Sequence, residues 1–114
     1  SKEMKVLYER VDEYMKRERP YLSQDMRLSD LSTAMCVSNT TLSNMFKNYL
    51  EVSYYDYVNR YRLDEFKKYL DEKAYKQYTI IALSEKCGFK KSSFFTTFRK
   101  MEGMTPTEYL QKYT

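Results

Sequence analysis

Thr40, Ser43, Asn44 and Lys47 recur at helical spacing, so on a helix they would share one face. Asparagine can bond an adenine through two atoms, serine and threonine can donate or accept at several base edges, and lysine can neutralise a phosphate. A second group, Lys90, Lys91, Ser92, Thr96, Arg99 and Lys100, carries heavier charge. Arg99 and Lys100 fall in the last turn of a helix, where cations ease the helix dipole, so part of their presence needs no anion. Lys90 and Lys91 instead crowd a helix N-terminus, where positive charge is unfavourable, and so point to an anionic partner. Phe95 stands among them, read as half-buried beside Phe98, with an exposed contact to a thymine methyl as the weaker alternative. Taken alone, the first group favours an ordinary solvated helix face over base reading.

Other chemistry is poorly supplied. The chain has no histidine, no phosphate-cradling loop and no nucleophile beside a base, so an enzyme is not expected and no catalytic residue is assigned. Asp64-Glu65 and Asp71-Glu72 flank lysines at helix spacing, as surface pairs do. Cys36 and Cys87 read as small core residues at the ends of two buried helix faces. Their spacing suits neither metal nor disulfide, and no cofactor is expected. Arg62 lies amid apolar residues and reads as half of a structural ion pair rather than a phosphate contact. The longest aliphatic run, Ile80–Leu83, is far too short to span a membrane, and no signal peptide is visible. A cytoplasmic setting without membrane contact is expected. Because the chain opens on Ser1 and not methionine, it is expected to be an excised fragment, with sensor or dimerisation parts elsewhere.

The elements that hold these groups are legible from periodicity. Two glycines and two prolines leave little room for loops, strand patterns are nearly absent, and an all-α fold is expected. Lys2–Arg19 is amphipathic through Met4, Leu7, Val11, Tyr14 and Met15, and Pro20 ends it. In the stretch Thr79–Tyr113, a short helix ends near Cys87, Gly88 supplies the turn, and Phe89 drops an anchor. Ser92 or Ser93 then caps a helix with Phe94 and Phe98 inward. Gly103 closes that helix, and Thr105 and Pro106 open another. A shift of 52 residues lays Leu28–Tyr57 over Ile80–Tyr109 without a gap: Leu31 falls on Leu83, Ser32 on Ser84, Val37 on Phe89, Leu42 on Phe94, Phe46 on Phe98, Lys47 on Arg99, Ser53 on Thr105 and Tyr57 on Tyr109. Two copies of one helical unit are therefore expected, joined by a long helix over about Tyr54–Lys73. Its apolar residues cover well over half its circumference, more than a surface helix needs, so it should be gripped on two sides. The resulting division is 1–19, 20–53, 54–73 and 74–114, with about seven helices. Net charge is +4 overall, but −1 over residues 1–57 and +5 over 58–114, so the second half better suits a polyanion.

LSEKCGF, SSFFTTFRK and EGMTPTEY resemble the second helix-turn-helix of AraC/XylS-type bacterial transcription regulators. LSTAMCVSNTTLSNMFKNYLEVSYYDYVNRYRL resembles the first one with the start of the connecting helix, and together the likeness spans about 20–113. The resemblance implies sequence-specific binding of double-stranded DNA by a bacterial regulator, with two reading helices in successive major grooves. Thr40, Ser43, Asn44, Ser92 and Thr96 would then read bases, while Lys47, Lys90, Lys91, Arg99 and Lys100 would hold phosphates. RNA polymerase, and a second copy joined through upstream segments, are the further partners it suggests. The alternative from another class is a helical protein-interaction domain that docks a partner on tyrosine-rich surfaces and binds no DNA. Two departures stand out. Cys36 and Glu51 occupy positions where many members have glycine, so strained turns are expected there. The second turn also looks one residue shorter than the family's, which leaves the register of the second reading helix open.

Overall fold

The computed structural model describes residues 1–114, which form seven α-helices and no strand. They are α1 (Lys2–Glu18), α2 (Leu28–Met35), α3 (Asn39–Asn44), α4 (Tyr54–Asp71), α5 (Ile80–Lys86), α6 (Phe94–Glu102) and α7 (Pro106–Leu110). The chain divides into two compact units, residues 1–20 with 25–58, and residues 21–24 with 59–114. Helix α4 contributes residues to both.

In the first unit, Ser1 caps α1 by accepting from the Met4 amide at 3.3 Å. Leu7, Val11 and Met15, spaced by one turn, form its buried stripe, and Arg19 ends it in a left-handed conformation just before Pro20. Leu31 and Met35 of α2, Leu42 of α3, and Met45 and Phe46 beyond it close the same core. Each such side chain contributes about 1.5–3 kcal/mol by leaving water. Ser38 caps α3 through the Thr41 amide at 3.0 Å. Beyond Asn44 the helix widens into a π turn over Met45–Leu50, so the helical path carrying Thr40 to Lys47 is not uniform.

In the second unit the core is aromatic. Phe66 of α4 meets Phe94 and Phe98 of α6 at ring separations of 5.1 and 5.7 Å. Phe89 packs on Phe94 at 4.9 Å, and Tyr109 on Phe98 at 5.5 Å. Tilted and edge-to-face contacts of this kind add about 0.5–1.5 kcal/mol each beyond the area they bury. Leu63, Leu70, Leu83 and Cys87 fill the space between the rings. Thr79 caps α5, and Thr105 with Glu108 forms a reciprocal capping box on α7, with Pro106 in the first helical turn.

The 52-residue echo is a repeat of hydrogen bonds as well as of side chains. Ser32 donates its hydroxyl to the Ser29 carbonyl, and Ser84 to that of Ile81. The Val37 amide returns to Ser32 at 3.0 Å, and the Phe89 amide to Ser84 at 3.1 Å. Leu42 donates to the Ser38 carbonyl at 3.1 Å, and Phe94 to that of Lys90 at 3.0 Å. Ser53 and Thr105 accept from the amides three residues on, at 3.0 and 3.1 Å. The left-handed positions also repeat: Cys36 matches Gly88, and Glu51 matches Gly103. The expected strain at Cys36 and Glu51 is therefore present, at φ 59° and 57°.

Four expectations need correction. Cys36 is exposed and only Cys87 is a core residue, because Cys36 occupies the left-handed turn position while Met35 takes the inward place. Glu65 is not a surface residue: its side chain is buried, with Lys68 3.9 Å away. The long helix ends at Asp71 and not at Lys73, which adopts a left-handed φ of 61°. Lys91 and Ser92, expected on the outward side of the second reading helix, lie in a turn ahead of α6 rather than on it.

Candidate nucleic-acid interface

Helix α3 presents Thr40, Ser43 and Asn44 outward, and Lys47 follows one turn later within the π turn. All four are exposed, and none forms a hydrogen bond or ion pair within the protein. Their neighbours behave differently. The Ser38 hydroxyl reaches Thr41, the Ser32 hydroxyl reaches Asn39, and both links hold the turn between α2 and α3. Structural and uncommitted polar groups thus alternate around a helix of six residues, and the uncommitted ones gather on a single side.

The second unit repeats this arrangement on α6 and the turn before it. Ser92 takes the place of Thr40, Phe95 of Ser43, Thr96 of Asn44, and Arg99 of Lys47. Ser92, Thr96, Arg99, Lys100, Lys90 and Lys91 are all exposed. Lys90, Lys91 and Lys100 have no carboxylate partner. Arg99 also faces Glu108, whose carboxylate it helps to hold below the usual range. The sequence therefore placed each candidate on the surface, while the structure separates those on the reading helices from those in the turn before α6.

That turn explains the register. Lys90 occupies the place of Ser38 but offers no acceptor oxygen, so no side chain caps the first turn. Its carbonyl still accepts from Ser93 and Phe94, at 3.1 and 3.0 Å, but Lys91–Ser93 relax into a turn and regular helix begins at Phe94. Ser93 stands at the cap position without making the side-chain bond expected of Ser92 or Ser93. The two turns of this chain have the same length, as the paired backbone bonds require, so the two reading helices are in step.

Arg62 serves the fold. Its Nε donates to the Tyr21 carbonyl at 2.7 Å and a terminal nitrogen donates to that of Ser23 at 2.8 Å. It ties the 21–24 segment to α4 within the second unit. Glu102, nearly buried at the end of α6, is held from α4 by Lys67 and Arg60. Phe95, expected to be half-buried with a base contact only as the weaker alternative, is more open than that. It is 40% exposed on the outer side of α6, with its ring edge-on to Phe94 at 5.6 Å. The repeat offset was the signal that could have found it, since it sets Phe95 on Ser43. No three histidine, cysteine or carboxylate side chains come together as a metal site would need, and no helix is long and apolar enough to cross a membrane.

Two short helices joined by a tight left-handed turn, present twice, define a double helix-turn-helix protein. The sequence pattern of the helix-turn-helix domain family matches residues 31–112, and the chain belongs to that family, in its AraC-type form. A probable transcriptional regulator of Photobacterium leiognathi, LumQ, is 29% identical over 100 residues, which are 87% of this chain and 38% of that protein. The transcriptional regulatory protein HptR of Staphylococcus aureus is 33% identical over 86 residues, 75% of this chain and 32% of its own. The chain spans between about a tenth and two fifths of the length of such curated relatives. Among solved structures, the C-terminal domain of AraT, a response regulator from Geobacillus stearothermophilus, has the same fold, with a TM-score of 0.77. It is 22% identical, over 93% of this chain and 84% of that one. A Listeria innocua protein of unknown function gives a TM-score of 0.78 at 22% identity, covering 94% of this chain and 97% of that chain.

Proposed function

We propose that the chain is the sequence-specific, double-stranded DNA-binding part of a bacterial transcription regulator working in the cytoplasm. The observation that carries this is the repeat of exposed polar groups: Thr40, Ser43, Asn44 and Lys47 in the first unit, Ser92, Thr96 and Arg99 at the matching places of the second. Side chains that neither pack nor bond within their own unit are free to meet base edges and phosphates. Thr40, Ser43, Asn44, Ser92 and Thr96 read bases. Lys47, Lys90, Lys91, Arg99 and Lys100 meet phosphates, and each reading helix enters a major groove. The regulators named among the relatives support this reading.

The test is selection of bound duplexes from a random pool at moderate salt, followed by sequencing. Two enriched blocks with centres about one helical turn apart, ~34 Å, are the expected result. One block alone would mean that a single unit reads bases. No enrichment and no binding even at low salt would remove the DNA reading. A second reading, a protein-docking domain, draws on the exposed Tyr49, Val52 and Tyr55 around the Glu51 turn, of which Tyr55 is 72% exposed. It predicts no affinity for duplex.

A further inference from the structure

We infer that Phe95 is a specificity-determining residue that reads the C5-methyl group of a thymine; the inference rests on the DNA reading above. Three observations converge on it. The repeat sets Phe95 where the first unit has Ser43, so an aromatic ring replaces a hydroxyl at one outward place on otherwise matching helices. The ring is 40% exposed, whereas Phe94 and Phe98 beside it are fully buried, so the core is complete without Phe95's outer face. Its edge-on contact with Phe94 at 5.6 Å and 76° directs it, in place of the free rotation of an unsupported surface side chain.

What such a group could recognise is narrow. Phe95 has neither donor nor acceptor, so it cannot read the hydrogen-bonding pattern of any base edge. The thymine methyl is the apolar feature that the major groove offers at a base pair, and phenylalanine contacts it by burial alone. Thr96 and Arg99 lie on the same exposed side of α6, one and four residues on, so the ring is flanked by groups that can hold the helix against the duplex. The two units would then differ in kind: a hydroxyl at Ser43 tolerates several bases, while the ring at Phe95 favours A·T pairs carrying the methyl on one strand.

The experiment uses the 114-residue chain and the best duplex from the random-pool selection, with each thymine replaced singly by deoxyuridine. This removes one methyl and leaves every hydrogen bond of the pair intact. One replacement should weaken binding roughly fourfold, the burial of about one methyl group. In Phe95→Ser, which installs the residue that unit one carries, that replacement should have no effect, while the remaining thymines behave as before. If no replacement weakens binding by the intact chain, the proposal is overturned without any need for a variant. It is also overturned if the loss persists in Phe95→Ser. Failure to bind any duplex would strike the DNA reading itself, which separates the two failures.

Discussion

Cys36 and Gly88 adopt the same left-handed backbone conformation 52 residues apart, at φ 59° and 93°. Each stands in the turn after the first helix of its helix-turn-helix, but only one is glycine. Cys36 bears the strain of a Cβ in this region, about 1–2 kcal/mol, which glycine would relieve at an entropic cost of about 0.5–1 kcal/mol. Cys36→Gly should therefore stabilise by about 0.5–1 kcal/mol, read as a higher urea midpoint. Gly88→Ala should go the other way by ~3 kcal/mol or more. A Cβ there would stand 2.1 Å from the Tyr21 carbonyl oxygen and 2.9 Å from Arg62 Nε, and a backbone oxygen has little freedom to move. Equal effects of the two substitutions would contradict this asymmetry.

Arg62 completes the same corner. Its two bonds satisfy the carbonyls of Tyr21 and Ser23, which would otherwise compete for water at the edge of the aromatic core. Arg62→Ala should cost roughly 2–4 kcal/mol of stability, since hydrogen bonds to a charged group contribute about 1.5–3 kcal/mol each and the one to Ser23 is exposed and therefore weaker. Arg62→Lys should recover little, because an ammonium lacks the fork that reaches two acceptors. Duplex affinity measured on the folded fraction should keep its salt slope. A slope lowered by about one would instead put Arg62 on a phosphate.

The sequence carried much of this because the two units repeat. Leu31 and Leu83, Leu42 and Phe94, and Phe46 and Phe98 are all buried, as an offset of 52 required. The cap at Thr105 was readable because it needs only a hydroxyl before a helix. What periodicity could not show was backbone irregularity. The π turn at Met45–Leu50 keeps Phe46 inward, so the apolar pattern looks like ordinary helix. The late start of α6 follows from Lys90 standing where a cap belongs, which marks the lack of a hydroxyl without fixing where regular helix resumes. Glu65 was misread because charge usually signals exposure, whereas its neighbour Phe66 draws that part of α4 into the core.

Acid should act on α7 through its capping box. Glu108 accepts from the Thr105 amide at 3.0 Å, and this bond is the first cause holding its carboxyl below the usual range. The Thr105 side chain and the nearby Arg99 charge add to it. With the folded-state value depressed, the stabilisation is fully present above the unfolded carboxylate value and is lost as pH falls through the folded one. Wild type should therefore lose stability on acidification below about pH 4. Glu108→Gln, which keeps the box geometry without titrating, should lose less over the same interval. Thr105→Ala removes the reciprocal bond and should cost about 1 kcal/mol at neutral pH. Identical acid profiles for wild type and Glu108→Gln would show that the box does not titrate with folding.

Under the proposed function, Asn44 and Lys91 would separate the two kinds of DNA contact. Asn44 lies on α3 with its amide uncommitted, able to bond an adenine through two atoms. Asn44→Ala should relax preference at one position and cost ~1–3 kcal/mol against the best duplex, while leaving non-specific binding unchanged. Lys91 stands in the turn before α6 and carries a charge with no partner in the protein. Lys91→Ala should weaken all duplexes alike and lower the salt slope by about one. Binding titrations of both variants, on the selected and a scrambled duplex at several salt concentrations, distinguish these roles. An unchanged base preference in Asn44→Ala would remove it from the reading set. Loss on the selected duplex alone in Lys91→Ala would move that lysine from a phosphate to a base edge.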